Sequence, residues 1–238
     1  MSSLLHLIKG EIIRLFKYKI IFFGILVSLL WLLIIGFQTA EQAKSIIPLL
    51  IVTDSGLMSI ILIGASFYFE KQENTVKSLL VSPVSLVQVL IAKVISAVFT
   101  AFISLVIVVA FAIIFHGLEV QIFKLLLYIL AVVISHTAIG YILILRSKDF
   151  MVMLVKYAGL MLLFYTPTLL LALEIIGHEY EIFALLSPSY AGEYLIKSTF
   201  THLDVLKQLV AYGYLMVLGC GIYLGYVYKK FKKVAIEG

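Results

Sequence analysis

Apolar residues run along this chain in six long blocks with short polar breaks between them, at about residues 20–37, 47–69, 94–115, 123–145, 151–176 and 209–228. Each block is continuous rather than alternating and about twice the length of a membrane β-strand, so the pattern predicts helices. A helix needs roughly 20 mostly apolar residues to cross about 30 Å of hydrocarbon. The expectation is an all-α polytopic membrane protein with six transmembrane helices, forming one transmembrane domain over residues 1–238. The polar breaks are too short for a soluble core. The first block is too long for the apolar region of a cleavable signal, and no small-residue cleavage site follows it.

Ahead of the first block, residues 1–19 have a helical period. Leu4, Leu5, Leu7, Ile8, Ile12, Leu15 and Phe16 share a broad face opposite His6, Lys9, Gly10, Arg14 and Lys17. Glu11 interrupts the apolar face and can reach Arg14 at i,i+3. A basic amphipathic helix beside a span should lie in the headgroup plane, as a lipid anchor or as a lever touching a partner. Residues 177–207 form the longest break on the opposite side. Ser187-Pro188 and Thr201 with Asp204 are helix-start signals, and they predict two short helices in a helical insertion at the outer leaflet.

Composition agrees with a membrane solvent: 63% of residues are hydrophobic, 13% are charged, and the mean hydropathy is +1.15. The net charge of +5 needs no nucleic acid to explain it, because the basic residues are sorted by side. With the N-terminus inside, 14 Lys and Arg residues lie on the cytoplasmic side and 4 (Lys44, Lys124, Lys197, Lys207) outside. Both termini are thus expected in the cytoplasm, with the spans in the plasma membrane. Cys220 is the single cysteine, so no intrachain disulfide is possible.

A few polar residues interrupt the spans. Asp54, between Thr53 and Ser55, lies roughly 10 Å below the outer boundary at 1.5 Å per residue. An ionisable group at that depth costs about 2.5–3.5 kcal/mol on insertion scales, so Asp54 should face protein or water. His136, between Ser135 and Thr137, is a similar island. The pair reads either as lining a translocation path or relay, or as interhelical hydrogen bonding that holds the bundle. Ser96, Thr100 and Ser104, and the Gly221-x-x-x-Gly225 pair, have the spacing of close helix contacts. Pro167 should kink the fifth span.

Catalytic patterns are missing. No phosphate loop of the G-x-x-x-x-G-K-[S/T] type occurs, no second carboxylate accompanies Asp54, and His178-Glu179 lacks the second histidine of a zinc-protease helix. No metal site, cofactor or active site is expected in this chain. An ion-coupled secondary transporter or channel working through Asp54 and His136 would show inverted repeats and paired broken helices, and neither is evident.

The most distinctive polar break is residues 70–93. Glu70 and Glu73 precede Thr75, then the apolar set Val76, Leu79 and Leu80, then Ser82-Pro83-Val84-Ser85, with Lys93 following. This order resembles the first cytoplasmic loop of type-2 ABC transporter permeases. The match lies at Glu70, Glu73, Thr75, Leu79, Ser82, Pro83, Val84, Ser85 and Lys93. It departs at Asn74 and Ala92, where the family has glycine, and at Lys77, where it has glutamate. Asn tolerates the left-handed conformation, so the turn at position 74 can survive. Amphipathic helix, six spans, loop helix and late insertion are likewise similar over the whole chain.

The resemblance implies a half-transporter. Two permease subunits, alike or different, would pair, and each would bind a separate ATPase that holds ATP and Mg. A cytoplasmic coupling helix would carry the motion of the ATPase. Glu70, Glu73, Thr75, Val76, Leu79, Leu80 and Pro83 would form that contact, with Val76, Leu79 and Leu80 in an apolar groove and Glu70, Glu73, Lys71 and Lys77 as rim charges. Family members export drugs, polysaccharides, lipids and amphipathic peptides. The short chain resembles the compact drug and peptide exporters, including those of phenol-soluble modulins, and an apolar interior suits a hydrophobic or amphipathic cargo.

Overall fold

The structure, a computed structural model, describes residues 2–75 and 84–237. Helices dominate, and no strand occurs among the described residues. Helix α1 covers Ser2–Lys17 and α2 covers Ile20–Gly36. Lys19 joins them at φ +58°, and the two helices meet at 63°. Thr39 starts α3 (Ala40–Val52) with a capping box: its side chain accepts from the Gln42 amide, and the Gln42 side chain accepts from the Thr39 amide. A π turn, Thr53–Leu57, links α3 to α4 (Met58–Gln72) without breaking the rod.

Ser85 and Gln88 build a second capping box at the start of α5 (Leu86–His116), which ends on Gly117 at φ +62°. Helices α6 (Ile122–Leu145) and α7 (Phe150–Ala172) follow, the latter capped by Asp149. Next come a 3-10 turn at His178–Tyr180, the single-turn α8 (Glu181–Ala184) and α9 (Pro188–Lys197). Asp204 caps α10 (Val205–Ile222), which runs through a π turn at Tyr223–Val227 into α11 (Tyr228–Glu237).

Five of these rods are long and apolar enough to cross a membrane: Ala40–Gln72, Leu86–His116, Ile122–Leu145, Phe150–Ala172 and Val205–Phe231. Counting the bent pair α1–α2 as one makes six. With 17 residues, α2 rises only about 25 Å, so it is the shortest of the expected spans. The protein is an all-α, multi-pass membrane protein.

Helix α6 is the centre of the bundle. It packs against α4, α5, α7, α9, α10 and both π turns, and 72% of its span is buried, against 11% for α7. Lipid is as apolar as a leucine side chain, so fit rather than hydrophobicity must hold these helices together. The close approach comes at Gly219, where an added Cβ would lie 3.0 Å from the Ser135 backbone. Gly221 and Gly225 of the predicted contact motif meet nothing within 4 Å, and they face out of the bundle. Large apolar side chains such as Phe22, Leu33, Leu162, Leu163 and Leu224 are exposed, as a lipid-facing surface requires.

Two predicted helix starts are corrected. Ser187 precedes Pro188 as expected, but its hydroxyl makes no cap; it donates instead to the Phe164 carbonyl at 2.8 Å. Asp204 begins the last long span rather than a second short helix, and Thr201 hydrogen-bonds back to the Lys197 carbonyl.

Candidate functional site

Four charged side chains from three helices meet where α4 ends and α5 begins. Lys93 Nζ donates to both oxygens of Glu70, at 2.6 and 2.7 Å, and lies 3.2 Å from Glu11 Oε1. Arg14 Nη2 donates to Glu11 Oε1 at 2.6 Å, and its Nε lies 3.7 Å from Glu70. Ser66, one turn before Glu70 on α4, donates to the same carboxylate at 3.1 Å. Lys93 is 3% exposed, Glu11 2% and Glu70 0%. Two acids and two bases balance, and each carboxylate is engaged by a base. That balance is what makes the burial tolerable: removing one partner of such a pair leaves an uncompensated charge at a cost of about 3–5 kcal/mol.

Glu70 is therefore not a rim charge for a partner, as its place in the loop pattern implied. It sits inside the bundle, because α4 continues to Gln72 and α5 starts at Leu86, eight residues ahead of the expected span. Two anomalies in the sequence signalled the cluster. Glu11 lay on an otherwise apolar helix face, and Lys93 abutted an apolar run. Each buried charge demands a partner, although the pattern does not say which.

The flanks of the loop are also fastened to α1. Glu73 accepts hydrogen bonds from Lys17 Nζ and from the Tyr18 hydroxyl, both at 2.8 Å. These hold the Glu73 carboxyl below its ordinary value, the Lys17 hydrogen bond contributing most. Asn74 takes φ +57°, the left-handed turn its residue type permits. The Thr75 hydroxyl donates back to the Glu70 carbonyl at 3.0 Å. On the returning side, Gln88 reaches the Ser3 hydroxyl at 3.4 Å. Val76, Leu79, Leu80 and Pro83, expected to contact a partner, lie outside the described residues.

Above the charge cluster a narrow cleft runs between α1, α4 and α5, its walls mixing Ser66, Ser96, Thr100 and Ser104 with Leu62 and Ile63, and Asp54 lies at its far end. Asp54 is 6% exposed and accepts from Ser28 of α2 at 2.8 Å. Gly24, one turn from Ser28, packs on Thr100 and Ser104, so the small-residue stripe of α5 does lie against a neighbouring helix. His136 is elsewhere. Its Nδ1 bonds the Val132 carbonyl at 2.8 Å and its Nε2 faces the Ser189 hydroxyl at 3.3 Å. No hydrogen bond or ion pair joins Asp54 to His136 among the described residues. What links them is the π turn: Asp54 looks toward α2, while an added Cβ at Gly56 would lie 3.2 Å from the His136 ring.

Comparison with curated proteins finds no match. The family model for ABC-2 type transporters matches residues 2–200, a stretch that takes in α1, the charge cluster, the loop flanks, Asp54, His136 and α9. With 199 of 238 residues matched, this chain belongs to the ABC-2 type transporter family and is a membrane permease component of an ABC transporter.

Proposed function

We propose that this permease exports a hydrophobic or amphipathic cargo (a drug, a peptide or a lipid), driven by an ATPase subunit that docks on residues 75–83. The ATPase holds the ATP and Mg, and a second permease subunit completes the path. The observation behind this reading is the fastening of both loop flanks to α1 through Glu70, Glu73, Gln88 and Lys93. A push on a loop tied to one flexible strand would dissipate. A loop whose two ends are clamped to the same helix transmits it to α2, α4 and α5 as one unit. Thr75, Val76, Leu79, Leu80 and Pro83 supply the contact itself, since apolar anchors usually dominate such interfaces.

In this reading the clamped end faces the cytoplasm of a bacterial cell, consistent with the basic residues collected there, and Asp54 and its cleft border the route taken by cargo. The test is co-purification with a candidate ABC ATPase subunit from the same organism, followed by cargo-stimulated ATP hydrolysis. Leu79→Asp should insert normally yet lose the ATPase or its stimulation, because an unpaired charge in an apolar groove costs several kcal/mol. A Leu79→Asp complex that stays intact and transports at the wild-type rate overturns the proposal.

A further inference from the structure

At the end of the bundle opposite the charge cluster, α9 roofs a cavity of about 330 Å³. Its walls carry Thr168, Glu181, Tyr190, Glu193, Tyr194 and Lys197. The volume lies at the lower end of the range for small-ligand sites, roughly 300–1,000 Å³. Packing fixes the roof: at Gly192 an added Cβ would meet Val132 at 3.0 Å and Val52 at 3.3 Å, so α9 is seated directly on α6 and α3.

The two carboxylates of this cavity differ. Glu181 is satisfied, with Tyr190 donating to one oxygen at 3.0 Å and Lys207 pairing with the other. Glu193 receives only the Thr168 hydroxyl, at 3.1 Å on Oε2. Among the described residues no basic group lies within ion-pair distance of Glu193, and Oε1 has no donor. Lys197, exposed at the rim of the same cavity, attracts Glu193 only from beyond ion-pair distance. A half-buried carboxylate without a direct ion-pair partner is costly, and a cation brought by a ligand lowers that cost. Tyrosine walls suit the same guest, since aromatic rings attract ammonium groups.

We propose that this cavity binds the ammonium group of an amphipathic ligand, with Glu193 as its counter-ion and Tyr190 and Tyr194 as its walls. The ammonium could arrive on a membrane lipid headgroup or on a soluble amine. The site stands apart from the coupling loop, so it holds or fails independently of the ATPase contact.

The test uses the full chain in phosphatidylglycerol nanodiscs, whose headgroup carries no ammonium, titrated calorimetrically with phenethylammonium and, as a neutral isostere, 2-phenylethanol, with empty nanodiscs subtracted. Saturable binding of the amine is expected, with the alcohol about tenfold weaker or worse, as loss of a charge-assisted hydrogen bond dictates. Glu193→Gln keeps the Thr168 contact and should weaken the amine by a similar factor. Ala172 also lines the cavity, and Ala172→Trp narrows it without removing the charge and should abolish binding, which keeps the test decisive if Glu193→Gln fails to fold. Equal binding of amine and alcohol, or wild-type affinity in these variants, or no saturable binding at all, overturns the proposal. Replacing half the lipid by phosphatidylethanolamine separates the sources. Weakened probe binding identifies the headgroup as the natural occupant, and unchanged binding identifies a soluble amine.

Discussion

Lys93 Nζ bridges both carboxylate oxygens of Glu70, at 2.6 and 2.7 Å, and so closes the base of the loop between α4 and α5. The two residues are 23 positions apart, and the pair is almost wholly buried. Lys93→Met leaves Glu70 and Glu11 facing a single Arg14. The loss should be about 3–5 kcal/mol, read as a lowered unfolding temperature of the purified chain. Adding Glu70→Leu to Lys93→Met removes the orphaned charge and should recover much of it. A double variant no more stable than the single one would show that the cluster is not an electrostatic unit.

Gly56 sits where the π turn meets α6. An alanine there would place its Cβ 3.1 Å from Val132 and 3.2 Å from the His136 ring, both fully buried. Overpacking of this kind typically costs about 1–3 kcal/mol. Gly56→Ala should therefore lower the unfolding temperature, and His136→Ala in the same chain should restore part of the loss by vacating the space. Equal destabilisation with and without His136 would place the strain elsewhere.

Asp54 accepts from Ser28, and that hydroxyl also donates to the Gly24 carbonyl at 3.0 Å. Ser28 thus keeps a partner whatever replaces Asp54. Asp54→Asn should fold with near wild-type stability, and if the cleft borders the cargo route it should change transport rate or cargo preference. Should Asp54→Asn and Asp54→Leu both assemble and transport like wild type, Asp54 has no part in the path.

Glu73 offers a pH signature outside the spans. Its carboxyl is held below the ordinary 4.5 by hydrogen bonds from Lys17 and Tyr18. A depressed carboxylate stabilises its contact above the unfolded value and loses it as pH falls through the folded one. The α1 fastening at Glu73 should therefore persist across neutral and mildly acidic pH and fail only in stronger acid. A Glu73 titration followed by carbon NMR should show a midpoint below 4.5. Lys17→Met with Tyr18→Phe should move it back up; a midpoint unmoved by both changes would mean that neither contact forms.

Much of this molecule was legible without coordinates. Helix type and a multi-pass architecture of five to six spans follow from the length of the apolar runs, because a bilayer allows few other solutions for continuous hydrophobic sequence. Asn74 in a left-handed turn, Asp204 at a helix start and Glu11 beside Arg14 were local matters, decided by neighbours within four residues. Glu70 was misread because its sequence surroundings are charged, and only the approach of α1 and α5 turned a loop acid into a buried one. Gly219 escaped notice for a similar reason: it has the same residue type as Gly221 and Gly225, and only the direction it faces distinguishes a contact from a lipid-exposed surface. Local chemistry and hydropathy act along the chain, so the sequence by itself determined the helices and the membrane setting. Charge neutralisation and close packing act across it, so only the tertiary structure decided that Lys93 pairs with Glu70, that Asp54 and His136 stand apart, and that Glu193 has no direct ion-pair partner among the described residues.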